Sequence, residues 1–283
     1  MRDARELTMR RSVHASGVTR DIISVVAIIG VALVLWELAV RLSDVPVYIL
    51  PAPSVVATKL WQGAGYYLSA AWVTLGEALG GLLLGVAVGI AVALLITFWV
   101  SLERGVLALA IVVKATPMVA IAPLLIIWFG FGSLPKVIIT ALMTFFPVLI
   151  NVHSGLHAVD DAVLALFHSL DASRGELFRY ARWPSALPYL FAALKVVAPL
   201  SLVGAVVAEW AGASAGLGRA MWLAYTDLNM PVLFAAVFCS AVMGIGLYTL
   251  VIVLEKRVIF WKYDNAATVE RPDAGTSNLY RKA

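Results

Sequence analysis

Charge is scarce in this chain. Asp, Glu, Lys and Arg make up 13% of its 283 residues, against 62% hydrophobic ones. A soluble domain carries about 25% charged and about 45–50% apolar residues, and a soluble globule must cover itself with polar groups. The shortage excludes the two soluble domains that length alone suggests at about 150 residues each. Cysteine is nearly missing too. The one thiol, Cys239, lies inside an apolar run, so neither a disulfide framework nor a cysteine-based metal site is available. No Gly-x-x-x-x-Gly-Lys-Ser/Thr loop occurs, and Gly130, Gly132 and Lys136 have the wrong spacing, so the chain cannot by itself cradle nucleotide phosphates. There is no internal repeat to support an inverted-repeat transporter, and no low-complexity segment. The four histidines, His14, His153, His157 and His168, offer too few neighbouring ligands for a metal site.

What is present is apolar sequence, with a mean hydropathy of +0.93. Six runs reach spanning length: Ile22–Leu42, Thr74–Val100, Gly105–Phe129, Leu134–Val152, Tyr189–Trp210 and Pro231–Glu255. The first is full length and lacks a small-residue cleavage site, so it reads as a retained span rather than a signal peptide. The organisation predicted is a basic tail over 1–21, a six-span all-α domain over 22–255 and a polar tail over 256–283. Between the first two spans, Pro51 and Pro53 stop any helix and Ser54 is placed to cap a short one through Leu60. The net charge of +4 matters less than where Lys and Arg fall, and nucleic-acid binding is a poor reading. With the N-terminus inside, the inner segments hold fifteen: Arg2, Arg5, Arg10, Arg11, Arg20, Arg104, Arg174, Arg179, Arg182, Lys256, Arg257, Lys262, Arg271, Arg281 and Lys282. The outer side holds only Arg41, Lys59, Lys136 and Arg219. The positive-inside rule puts both termini and the long fourth loop in the cytoplasm.

That loop, about residues 154–188, is patterned. Asp160-Asp161 can cap a helix on which Val163, Leu164, Leu166, Phe167 and Leu170 form an apolar stripe. Ser173-Arg174-Gly175-Glu176 is a capping box. It starts a second helix expected to end before Pro184 and Pro188. An amphipathic pair lying on headgroups and a docking element for a cytoplasmic partner both fit the pattern.

Charges inside spans usually face a bundle interior or a wet cavity. The candidates are Glu37, Glu77, Lys114, Lys195 and Glu209. Glu37 and Lys195 lie near enough to span ends to snorkel, and Lys114, about 14 Å into its span, reads as the most buried. Pathway lining and interhelical pairing, for example of Lys114 or Lys195 with a carboxylate, are equally good readings. Gly81, Gly85 and Gly89 recur every four residues and give one flat helix face for close packing. Pro117, Pro123, Pro147 and Pro199 break backbone pairing within spans, through a path-lining kink or a packing kink. Trp128, Trp222 and Trp261 suit the interfaces. Gly212-Ala213-Ser214-Ala215-Gly216 fits Gly-x-Ser-x-Gly. A hydrolase elbow needs a strand–turn–helix and a nearby base, whereas every histidine lies about 30 Å away across the membrane. The match reads as a small-residue turn.

With these elements in order, the sequence resembles the permease subunit of bacterial ABC importers, in the branch that takes up nitrate, sulfonates and taurine. The resemblance runs over nearly the whole chain, through Leu50-Pro51-Ala52-Pro53-Ser54, Ala122-Pro123-Leu124, Trp128-Phe129-Gly130-Phe131-Gly132, Leu134-Pro135-Lys136, Phe145-Phe146-Pro147, Asn151, Leu177-Phe178-Arg179, Pro184-Ser185-Ala186-Leu187-Pro188, Glu209 and Gly216-Leu217-Gly218. Lys114-Ala115-Thr116-Pro117 looks more like relatives importing pyrimidine precursors of thiamine, or flavins. The resemblance implies a type I importer permease in the bacterial inner membrane. It would pair with a cytoplasmic ATPase that holds ATP and Mg, an extracytoplasmic substrate-binding protein and a second copy of itself. No cofactor and no catalytic residue is expected in this chain. The family's loop carries a Glu-Ala-Ala signature with a Gly four residues on, which falls here on Ala165-Leu166-Phe167 and Asp171 and does not match. Ser169, Leu170, Ala172 and Ser173 do resemble it, and Asp tolerates the left-handed conformation of such a turn. The coupling residues implied are Asp161, Leu164, Ala165, Leu166, Phe167, Ser169, Leu170, Asp171, Ala172, Ser173 and Glu176. A self-contained six-helix channel or secondary transporter is the alternative, and an intramembrane protease the enzyme rival.

Overall fold

The computed structural model describes residues 23–260, and every regular element among them is helical. The N-terminal tail, Ile22, His14, Trp261 and residues 262–283 lie outside the described residues. The helices are α1 (Ile23–Leu42), α2 (Pro53–Gln62), α3 (Ala64–Phe98), α4 (Val100–Ala115), α5 (Met118–Phe129), α6 (Leu134–Leu156), α7 (Asp161–Ser169), α8 (Arg174–Leu177), α9 (Trp183–Gly212), α10 (Leu217–Thr226) and α11 (Met230–Val258). Among the described residues, five uninterrupted helical stretches are long and apolar enough to cross a membrane, and a bent pair makes six where its two halves count as one span. Residues 23–64 with 223–235 form one compact unit, and residues 65–222 with 236–260 form another.

In the first unit Ser54 does not cap α2. Ala52 is the N-cap and Pro53 takes the first helical position, where a missing N–H leaves nothing unpaired. Ser54 turns to α1 instead. Its hydroxyl donates to Glu37 Oε1 at 2.7 Å and its N–H to Oε2 at 3.0 Å. Arg41 Nε reaches the same carboxylate at 2.6 Å, so the charge of Glu37 is met by the next turn of its own helix.

In the second unit α3 is longer than its apolar run. It begins ten residues before Thr74, because Ala64–Trp72 holds neither proline nor a β-branched residue to stop it. At 35 residues it is about 52 Å long, well beyond a bilayer core of about 30 Å. Gly81, Gly85 and Gly89 face α6. A Cβ on Gly81 would collide with the Thr140 side chain, one on Gly85 with Thr144 Oγ1, and one on Gly89 would lie 2.9 Å from Val148 Cγ1. Farther along, α6 meets α9 just as closely. A Cβ on Gly155 would lie 2.8 Å from Ala186 Cα, and one on Gly204 3.2 Å from Thr140 Cα. Between these contacts Ala78, Ala93 and Ile96 of α3, Val148, Leu149, Val152 and Leu156 of α6, and Ala193, Val197 and Ala205 of α9 form one buried core.

Two expectations are corrected here. The run Gly105–Phe129 is not one straight span but α4 and α5, bent by 92° at Thr116-Pro117. Pro117 has no N–H for the Val113 carbonyl and drives Thr116 into an extended conformation (φ −72°, ψ 129°). The helix expected to end before Pro184 continues instead. After α8 the chain makes a wide turn over Phe178–Arg182, where Trp183 N–H reaches back five residues to Phe178 C=O, and passes unbroken into α9. Pro184 lies in the first turn of α9 and Pro188 within it. The wide turn makes room for the Pro184 ring and its lost donor.

Gly81→Ala is expected to lower the stability of the detergent-solubilised chain by about 1–3 kcal/mol, although alanine favours a helix. Gly105→Ala, which meets nothing within 4 Å, shifts it the other way. Equal thermal unfolding midpoints for the two variants would refute the close approach of α3 and α6.

Candidate functional site

Two features stand at opposite ends of α9. At its start is a helical hairpin made of α7 and α8. Asp160 caps α7, its carboxylate accepting from Ala162 N–H at 2.9 Å. The helix closes on a Schellman pair in which Ala172 N–H bonds Phe167 C=O at 3.0 Å and Asp171 N–H bonds His168 C=O at 3.1 Å. Asp171 is left-handed, with φ +52°, which is the conformation that glycine takes most easily. Ser173 then caps α8. Its hydroxyl accepts from Glu176 N–H at 3.3 Å, and its own N–H donates to the Glu176 carboxylate at 2.8 Å. These bonds hold Glu176 below the usual carboxylate range, the backbone N–H having the larger effect.

The hairpin is fixed by its own backbone rather than by burial. No residue of α7 or α8 is buried. Leu164 and Phe167 are half-buried, while Val163, Leu166 and Leu170 form an exposed apolar stripe, with Leu166 55% and Leu170 69% exposed. Ala165, Ser169 and Asp161 are exposed as well. The hairpin's exit is anchored by Phe178, whose ring lies 5.6 Å from that of Phe98 at the end of α3. Nearby, His153 Nε2 meets Glu103 at 3.1 Å, and its ring centre lies 4.6 Å from that of His157 with the two planes tilted by 58°. Among the described residues no three His, Cys, Asp or Glu side chains are grouped to hold a metal ion.

At the other end of α9 is a cluster of charges buried in the helix bundle. Glu209, 1% exposed, receives the Thr74 hydroxyl at 2.7 Å on one oxygen and the N–H groups of Gly218 and Arg219 on the other. Thr74 Oγ1 in turn accepts from Leu217 N–H at 2.8 Å. One carboxylate and one hydroxyl thus satisfy the orphan donors that open α10. Gly216 (φ +109°) has to be glycine, because a Cβ there would overlap the Glu209 carboxylate. Beside it Lys136 Nζ lies 3.5 Å from Glu77 and donates to the carbonyls of Phe131 and Gly132 at 3.1 and 2.9 Å.

Lys136 and Thr74 escaped the sequence reading, which counted Lys136 as an outer-loop cation. The signal was there: with the N-terminus inside, Glu77 near the start of the second run, Lys136 near the start of the fourth and Glu209 near the end of the fifth all fall toward the outer side. Of the five candidates the most buried are therefore Glu209 and Glu77, not Lys114, and Lys136 is as buried as Glu77. Lys114 is exposed one residue before the end of α4, and its ammonium sits 4.6 Å over the Phe146 ring; among the described residues it meets no carboxylate. Lys195 bonds Glu255 at 3.0 Å.

The family of binding-protein-dependent transport system inner-membrane components matches residues 81–260. The chain belongs to this family. It is 38% identical to the riboflavin transport system permease protein RibX of Chloroflexus aurantiacus, over 81% of this chain and 87% of that one. It is 32% identical to the formylaminopyrimidine transport permease protein ThiX of Halalkalibacterium halodurans, over 81% and 92%. A chain of the inward-facing MetNI methionine ABC transporter shares the fold, with a TM-score of 0.59 at 18% identity over 70% of this chain and 96% of that one. The chain is thus the permease subunit of an ABC importer. The Gly-x-Ser-x-Gly match falls on the turn between α9 and α10, not on a strand-to-helix elbow.

In this permease, Lys136→Met leaves Glu77 without its ammonium and two carbonyls without a donor. It is expected to cost about 3–5 kcal/mol of stability, read as thermal unfolding in detergent; an unchanged midpoint would show that the pair is not formed. The α8 cap has a defined pH response. Its contribution is complete above the ordinary carboxylate value and is lost as pH falls through the lowered value of Glu176. The Ser173 amide resonance should therefore titrate below a free glutamate, and a midpoint at the free value would dissolve the cap.

Proposed function

We propose that this permease imports a flavin or a pyrimidine precursor of thiamine. The observation that carries this reading is the 38% identity to a riboflavin permease over 81% of the chain. The relative named for formylaminopyrimidine points to the same class of flat, nitrogen-rich ring. The fifteen inner against four outer cations support an orientation with both termini and the α7–α8 hairpin in the cytoplasm.

The hairpin is the element that a cytoplasmic ATPase would grip. Val163, Leu166 and Leu170 at i, i+3 and i+7 present one apolar stripe, and caps at both ends of α7 keep it rigid without help from burial. Coupling residues Asp161, Leu164, Ala165, Phe167, Ser169, Asp171, Ala172, Ser173 and Glu176 shape the hairpin around that stripe. The chain then runs through the wide turn into α9 without a break, so a push on the hairpin is delivered to α9 along its axis. Two copies, each with one ATPase, would form the path, and a substrate-binding protein outside would supply it. ATP hydrolysis belongs to the partner.

Leu166→Asp with Leu170→Asp is expected to abolish co-purification of the ATPase encoded with this permease, while the monomer keeps its unfolding midpoint because neither side chain is buried. Retained co-purification would sink the docking assignment. Uptake of labelled riboflavin and formylaminopyrimidine by cells expressing the whole importer tests the substrate class; uptake of taurine in their place would overturn it.

A further inference from the structure

We infer that Lys114 lines the translocation path and offers its ammonium to an acceptor atom on the edge of a heterocyclic substrate. This deepens the reading of the chain as an importer of flavins or pyrimidines and rests on it. The site begins at the bend between α4 and α5. A continuous helix would pair the carbonyls of Lys114 and Ala115 with the N–H groups of residues 118 and 119, but the 92° turn at Thr116-Pro117 carries those donors away. The Thr116 N–H and hydroxyl cover only the carbonyls of Val112 and Val113. Irregular backbone in a span is tolerated where it is buried in protein or lines a wet cavity. Ala115 and Lys114 are both exposed in the chain, so this chain does not bury the turn, and a wet cavity would satisfy its carbonyls.

The lysine itself points the same way. Lys136 and Lys195 each meet a carboxylate, whereas Lys114 meets the face of Phe146 at 4.6 Å. A ring face holds a cation in an apolar setting without neutralising it. The ammonium so held remains able to donate, and two free carbonyls on the same turn are able to accept. A donor beside acceptors complements an edge on which a carbonyl oxygen or ring nitrogen adjoins an N–H, as in flavins and aminopyrimidines. A small oxyanion would instead demand several cations and no carbonyl oxygens, so the turn disfavours a sulfonate.

Cys239 is the one cysteine of the chain, so a Cys239→Ser parent gives a clean background. In membranes holding the whole importer, Lys114→Cys is expected to react with a water-soluble cationic thiosulfonate about tenfold or more faster than Ile28→Cys, on an apolar exposed face of α1. Equal rates at the two positions would overturn the assignment. Riboflavin or formylaminopyrimidine should slow the reaction at position 114, and taurine should not. Protection by taurine, or by none of the three, would overturn the substrate contact. Failure of the binding protein to stimulate ATP hydrolysis in the Cys239→Ser parent would count against the importer reading itself, since position 114 is untouched there.

Discussion

Three helices in backbone contact organise the larger of the two compact units. In a lipid setting there is no hydrophobic drive to bring helices together, and close packing through small residues takes its place. The glycines of α3 admit α6 to within reach of its backbone, and Gly155 and Gly204 bring α6 against α9. The charge cluster would not exist without this approach. Thr74 and Glu77 come from α3, Lys136 from the start of α6, and Glu209 from the end of α9, so the charge cluster is a direct product of the three-helix contact. At the other end, Phe98 of α3 receives Phe178 at the exit of the hairpin.

The two features are therefore the ends of one rod. From Trp183 to Glu209, α9 advances about 39 Å, with the hairpin covalently continuous at one end. At the other, Glu209 accepts from the first N–H groups of α10. A carboxylate that satisfies the opening turn of the next helix ties the position of that helix to α9. An apolar side chain in place of Glu209 would leave the Gly218 and Arg219 N–H groups without their acceptor, which costs stability. It would also lose the fixed geometry of the α9–α10 turn, since Gly216 shapes its backbone around this one carboxylate.

How much of this was legible in the sequence depended on distance along the chain. The Asp160 cap and the Ser173–Glu176 box rest on bonds within a few residues, so spacing alone revealed them, while the left-handed Asp171 came from the family resemblance, whose glycine falls there. Span number followed from apolar length. The cluster was not legible as a cluster, because Glu77, Lys136 and Glu209 are brought together only by packing, and a lysine two residues into a span looks like a loop cation. Ser54 deceived for the same reason: its local role as a cap lost to a non-local bond with Glu37. The proline rules located the bend at Thr116 but not its angle, and they failed at Pro184, where a wide turn let the helix continue.

The distribution of charge then follows a single physical rule. Where helices are packed, as at Lys136 and Lys195, a cation has a carboxylate within 3.5 Å, because an unpaired ion among close-packed side chains is prohibitively costly. Where the helix is broken, as at Lys114, the cation has, among the described residues, a ring in place of a carboxylate, and it sits beside carbonyls that lost their own partners. Unpaired charge and unpaired backbone coincide at one bend. Each alone would be a defect in an apolar span; together they describe a surface that is meant to be wet.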